Sequence, residues 1–203
     1  MADLNKMHID NLFKVCDNLY LSDQEAALNH QLCKTLQFKL VVNCTNHTPY
    51  IKPRNPNTTY IKVAVEDNCR QKEVTKLISY LPYIVEVMHG VLSQNNVVLV
   101  HCRLGRQRSA TVVAAYLMWE RCITMTDAIK HIQRLNPTAF QPEANFKRSL
   151  EMFEVHLRGK VFHGGASLSH QDDNHEQDHR EPGVKMLLVN STAPLLGGEI
   201  PLS

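Results

Sequence analysis

The sequence predicts an α/β fold: one domain with a central, mostly parallel sheet of about 4–5 strands and helices on both faces. Three observations predict it. Short runs rich in β-branched residues alternate along the chain with longer helical patterns. The best of these runs, Val97–Val100, is wholly apolar, as befits a strand covered on both faces. The chain has 203 residues, 43% of them hydrophobic, enough to bury one good core, and is most simply one domain plus a tail.

In chain order, Asn18–Ser22 reads as a short strand. Asp23 to Thr35 reads as a helix capped by Ser22 or Asp23, with Ala26, Ala27 and Leu32 on its inner face. Phe38–Thr45 is a second strand, and Thr59–Val65 a third. Between them His47–Thr58 carries three prolines and reads as a loop, either a surface excursion or part of a substrate rim. Lys72 to Gln94 is helical in pattern, and Pro82 implies a break or kink in its middle. After Val97–Val100 a nearly all-apolar helix starts at Ser109. Thr124 or Thr126 can cap the next, which Asn136-Pro137 stops after Leu135. A last helix from about residue 143 spaces Phe146, Leu150, Phe153 and Leu157 as a core stripe.

Composition shifts beyond residue 160. The domain is expected over residues 1–160, and residues 161–203 form an acidic, His-rich stretch too poor in apolar side chains to fold, hence disordered. That stretch holds two basic and six acidic residues, against 20 basic and 14 acidic in the rest. A basic body suits an anionic substrate. The histidines at 163, 170, 175 and 179 match no standard metal spacing, so a solvated tract is the better reading. The islands Met186–Val189 and Pro194–Leu196 are candidate partner contacts. The N-terminus lacks the apolar segment of a signal peptide, and no apolar run approaches the ~20 residues of a membrane span. The six cysteines show no paired metal-ligand spacing, which suggests free thiols in an intracellular, reducing compartment, cytoplasmic or nuclear.

Chemistry concentrates in Val97–Ser109: Val-Val-Leu-Val-His-Cys-Arg-Leu-Gly-Arg-Gln-Arg-Ser. A buried strand, a loop with one glycine and a buried helix make an anion site, because loop amides and the positive end of the helix dipole converge there. Cys102 stands at the strand end, beside that helix N-terminus and three arginines, where the thiolate is favoured; thiolate is the nucleophilic form. Arg108 can hold two oxygens of a phosphate with its planar fork. Ser109 can donate to the sulfur and improve it as a leaving group. A structural cysteine, the usual fate of a buried thiol, would not explain the arginines and glycine crowding one loop.

His-Cys-x5-Arg-Ser after a buried strand resembles the signature of the cysteine-dependent protein phosphatases, and Ser109–Met118 resembles the dual-specificity branch in particular. The resemblance spans roughly residues 18–157 and includes Asn18–Ser22 and Val41–Thr45, similar to the family's first two strands. It implies the cysteine-phosphatase fold, a shallow cleft open to phosphoserine, phosphothreonine and phosphotyrosine in proteins, and a phosphocysteine intermediate on Cys102. It implies that the loop residues Arg103, Leu104, Gly105, Arg106 and Gln107 line the substrate site and that His101 orients the loop. No metal or cofactor is implied. The family places its general acid after the third strand, which points to Asp67, with Glu66 as runner-up; a solvated turn carboxylate is the bland alternative for either.

Two features depart from the family pattern. Arg103 and Arg106 stand where protein-directed members carry small or apolar residues, and are similar to the basic loop of phosphoinositide phosphatases. They favour a polyanionic substrate such as a phosphoinositide or an RNA 5′-triphosphate end, unless both simply face solvent or pair with nearby acids. Glu143 follows the proline where the family has asparagine, so its loop-supporting hydrogen bond does not carry over. Cys69, two residues past Asp67, is a candidate resolving thiol for oxidised Cys102. An inactive phosphate-binding adaptor is disfavoured, since Cys102, Arg108, Ser109 and an acid are all present. Nothing in the sequence sets an oligomeric state.

Overall fold

The computed structural model describes residues 10–46, 56–163 and 188–189. Twelve elements follow in order: β1 (Leu12–Cys16), β2 (Leu19–Ser22), α1 (Gln24–Leu28), α2 (His30–Leu36), β3 (Leu40–Asn43), β4 (Thr59–Lys62), α3 (Gln71–Leu92), β5 (Val98–His101), α4 (Arg108–Arg121), α5 (Met125–Leu135), α6 (Lys147–His163) and β6 (Leu188–Val189). The strands form one sheet in the order β1-β2-β5-β3-β4-β6. β2, β5, β3 and β4 run parallel to their neighbours, while β1 and β6 add antiparallel edges. The α/β class and mostly parallel sheet follow the expectation from sequence.

β5 lies at the centre, and all four of its residues are buried. Its side chains alternate between the two faces. Val98 and Val100 join the large core packed with α3, α4, α5 and α6, and Leu99 joins a smaller core with Ala26, Ala27, Leu32 and Phe38 under α1 and α2. The stripe Phe146, Leu150 and Phe153 is buried, and Leu157 packs against the same core. Two helical layers therefore clamp the strand that leads into Cys102. The site is positioned by the most buried part of the molecule.

One strand is added and three local expectations are corrected. β1 was not legible: its alternating pattern includes exposed Lys14, and it gains order only by pairing antiparallel with β2. The single helix expected over 23–35 is two, broken at Asn29, whose side chain accepts from the Leu32 N–H at 3.0 Å and so caps α2. α3 runs from Gln71 to Leu92 without a break through Pro82. The buried stripe Val74, Leu77, Leu81, Ile84, Val85 and Met88 anchors both halves and outweighs the hydrogen bond that proline forfeits, a loss of about 3 kcal/mol. The last helix starts at Lys147, since the preceding residues make a turn tied to the site.

Thr124, not Thr126, caps α5, accepting from the Asp127 N–H at 3.2 Å. Most of the proline-bearing loop lies outside the described residues, as do His170, His175, His179 and the Pro194–Leu196 island. Within the chain beyond residue 160, Leu188 and Val189 pair with Ile61 and Tyr60 of β4. Among the described residues, no helix is long and apolar enough to cross a membrane.

Candidate active site

β5 ends at His101, and the chain then turns through residues 102–107 into α4. The turn requires Gly105, at φ +68°, where a Cβ would stand 2.9 Å from the carbonyl carbon of Ser22 and 3.0 Å from its oxygen and from Asp23 N. Both neighbours are backbone atoms and cannot step aside. Gly105→Ala is therefore expected to destabilise the fold by about 2 kcal/mol or more and to abolish binding of inorganic phosphate. Urea unfolding and phosphate titration check the two effects separately.

The loop's carbonyls are held away from its centre. Arg103 O accepts from the Gln24 N–H (3.3 Å), Gly105 O from Asn136 Nδ2 (3.1 Å) and Arg106 O from the Phe140 N–H (2.9 Å). In a planar trans peptide the N–H points opposite the carbonyl, so the amides of Leu104, Arg106 and Gln107 face inward. Inward amides at the N-terminus of α4 make a cradle for an anion. Asn136, which the sequence marked only as a helix stop, thus supports the loop, a role not expected once Glu143 replaced the family's asparagine.

Cys102 is buried in this cradle, and the Ser109 hydroxyl donates to its Sγ at 3.1 Å. A hydroxyl donor and the helix N-terminus both stabilise negative sulfur. Arg108, the first residue of α4, is buried too; its Nη1 donates to Val65 O at 3.3 Å, which fixes the guanidinium plane. Its Nε lies 3.6 Å from Asp67 Oδ2, an ion-pair contact too long for a hydrogen bond. That Nε is buried with no hydrogen-bond acceptor among the described residues. A buried guanidinium N–H without an acceptor is costly unless a ligand supplies one.

The two acid candidates part company here. Asp67 faces Arg108 and also accepts from Asn145 Nδ2 at 2.7 Å. Glu66 accepts instead from Asn46 Nδ2 (3.2 Å) and Asn68 Nδ2 (2.8 Å), while its own N–H donates to buried Glu73 at 2.9 Å. The carboxylate brought to the arginine is Asp67.

Gln107 lines the loop with its backbone only. Its side chain is buried and engaged with the segment before α6: Nε2 donates to Gln141 O and Glu143 O, and Oε1 accepts from the Asn145 N–H. His101 is buried behind Cys102, and burial lowers its pKa to about 4 although the Cys102 backbone and the Asp23 carboxylate pull the other way. Its ring is neutral at neutral pH, consistent with a packing role behind the loop. Arg103, Leu104 and Arg106 are exposed at the mouth, and neither arginine makes an ion pair among the described residues.

Cys69 is exposed, at φ 55°. Cys44 is buried; its N–H donates to His101 O at 2.8 Å, and its pKa is pushed well up by burial, with Cys102 adding to the shift.

A buried thiol inside an anion cradle, beside a fixed guanidinium, is the arrangement of a cysteine-dependent phosphatase site. Comparison with known proteins narrows this class. Residues 19–156 match the model of the dual specificity phosphatase catalytic domain, and the chain belongs to that family. Human dual specificity protein phosphatase 9 is 31% identical over 145 residues, covering 71% of this chain and 36% of the relative. Arabidopsis thaliana dual specificity protein phosphatase 1 is 32% identical over 140 residues, 69% of this chain and 67% of the relative. The crystal structure of human DUSP28 superposes with a TM-score of 0.65 at 25% identity, covering 74% of this chain and 97% of that one.

Proposed function

We propose that the protein hydrolyses phosphotyrosine and phosphoserine or phosphothreonine in protein substrates through a phosphocysteine intermediate. The observation that supports this reading is the cradle: one loop brings together inward amides, an Arg108 Nε buried without a hydrogen-bond acceptor, and the Cys102 sulfur that takes the Ser109 hydroxyl. Cys102 attacks phosphorus in line, forming the S–P bond as the ester P–O bond breaks. Asp67 gives its proton to the departing oxygen. Water then attacks the phosphocysteine and yields its proton to Asp67, while the Ser109 hydroxyl stabilises the leaving thiolate. Arg108 and the loop amides hold the equatorial oxygens in both steps, so catalysis is positioning plus preorganised charge. A thiolate nucleophile suits the reducing interior of a cell, where we place the protein.

Arg103 and Arg106 favour a second reading, the same chemistry on a polyanion such as a phosphoinositide or an RNA 5′-triphosphate. Both are exposed beside the cradle with no acidic partner among the described residues. Phosphate release in the presence of chelator decides between the two. The protein-directed reading expects a doubly phosphorylated Thr/Tyr peptide to be turned over ahead of either polyanion. Preference for a polyanion, lost in Arg103→Ala/Arg106→Ala, would transfer the function to those arginines.

A further inference from the structure

We propose that Asn145 is a positioning residue that aims the general acid, coupling the acid loop to the phosphate cradle through Gln107. The inference rests on the reading of Asp67 as the acid. Asp67 sits on an exposed loop beyond β4, and an exposed carboxylate on a loop samples several rotamers. Two groups restrict this one. Asn145 Nδ2 donates to Oδ1 at 2.7 Å, and Arg108 Nε approaches Oδ2 at 3.6 Å. The amide can only donate through its nitrogen, so it fixes which oxygen faces away from Arg108. Oδ2, on the side of Arg108 and the cradle, is left to carry the proton.

The other end of the strut is equally specific. The Asn145 N–H donates to Gln107 Oε1 at 3.1 Å, and Gln107 Nε2 donates to Glu143 O at 2.8 Å and Gln141 O at 3.2 Å. Gln107 is buried and belongs to the cradle itself. Acid and nucleophile come from loops far apart in sequence, and this bridge spans 38 residues on one side and 78 on the other. Each link ties the height of Asp67 to the loop that holds the phosphate. Misplacement of an acid by a fraction of an ångström weakens proton transfer without harming phosphate binding.

The test compares kcat/KM of the full chain on aryl phosphates with poor and good leaving groups, for Asn145→Ala, Asn145→Asp, Asp67→Asn and the double variant Asp67→Asn/Asn145→Ala. Poor leaving groups need the proton and activated ones do not. Asn145→Asp keeps the side-chain shape but removes the donor, and neither change touches the backbone bond to Gln107. Expected are a loss of about tenfold for both Asn145 variants on the poor leaving group, near wild-type rates on the activated ester, and no further loss in the double variant beyond Asp67→Asn. Equal losses on all esters, additivity in the double variant, or a wild-type Asn145→Asp would overturn the proposal and leave Asp67 as the acid. An Asp67→Asn variant indifferent to the leaving group would instead remove the acid reading itself, and the role of Asn145 with it.

Discussion

Cys102→Ser is expected to lower phosphate release about ten-thousandfold or more while leaving phosphate binding nearly unchanged. The reason lies in which groups do which job. Binding falls to the inward amides, the dipole of α4 and Arg108, none of which the substitution removes. Bond making falls to the sulfur, which receives the Ser109 hydroxyl at 3.1 Å. A serine hydroxyl stays protonated in the same surroundings, since the side chain that meets position 102 there is the Ser109 hydroxyl, not a base. Turnover and a titration with inorganic phosphate separate the effects. Residual activity within about tenfold of wild type would mean that another group attacks phosphorus.

Arg108→Lys is expected to lower kcat/KM about a thousandfold, although the charge is kept. The guanidinium does three things from one plane: Nη1 anchors on Val65 O, Nε faces Asp67, and the fork remains for two phosphate oxygens. An ammonium on a flexible stem presents one point of charge and cannot satisfy Val65 and a phosphate together. The loss should appear with every ester, whatever its leaving group, because Arg108 meets the phosphoryl group common to all. A loss confined to poor leaving groups would assign Arg108 to Asp67 rather than to phosphate. Circular dichroism and urea unfolding show whether the buried ammonium disturbs folding.

Much of this site is legible in the sequence. The strand Val98–His101 announced itself because burial on both faces demands a continuous apolar run, and that demand is local. Cys102, Arg108 and Ser109 lie within eight consecutive residues, so one loop fixes their mutual spacing. β1 was silent for the opposite reason: a five-residue edge strand with an exposed lysine has no pattern of its own until its partner arrives.

What the sequence determined by itself was the α/β class, the central strand and the loop that carries Cys102 and Arg108. The sequence pointed to Asp67 over Glu66 on spacing alone; the tertiary structure shows which carboxylate meets Arg108, with Asn145 arriving from the segment before α6 to hold Asp67 and Asn46 from the segment after β3 to hold Glu66. It decided that Asn136 supports the cradle and that Gln107 faces the segment before α6. These are contacts between residues far apart along the chain. A side chain's hydrogen bonds at that range are set by how helices and loops stack on the sheet, and spacing along one strand or helix carries no record of it.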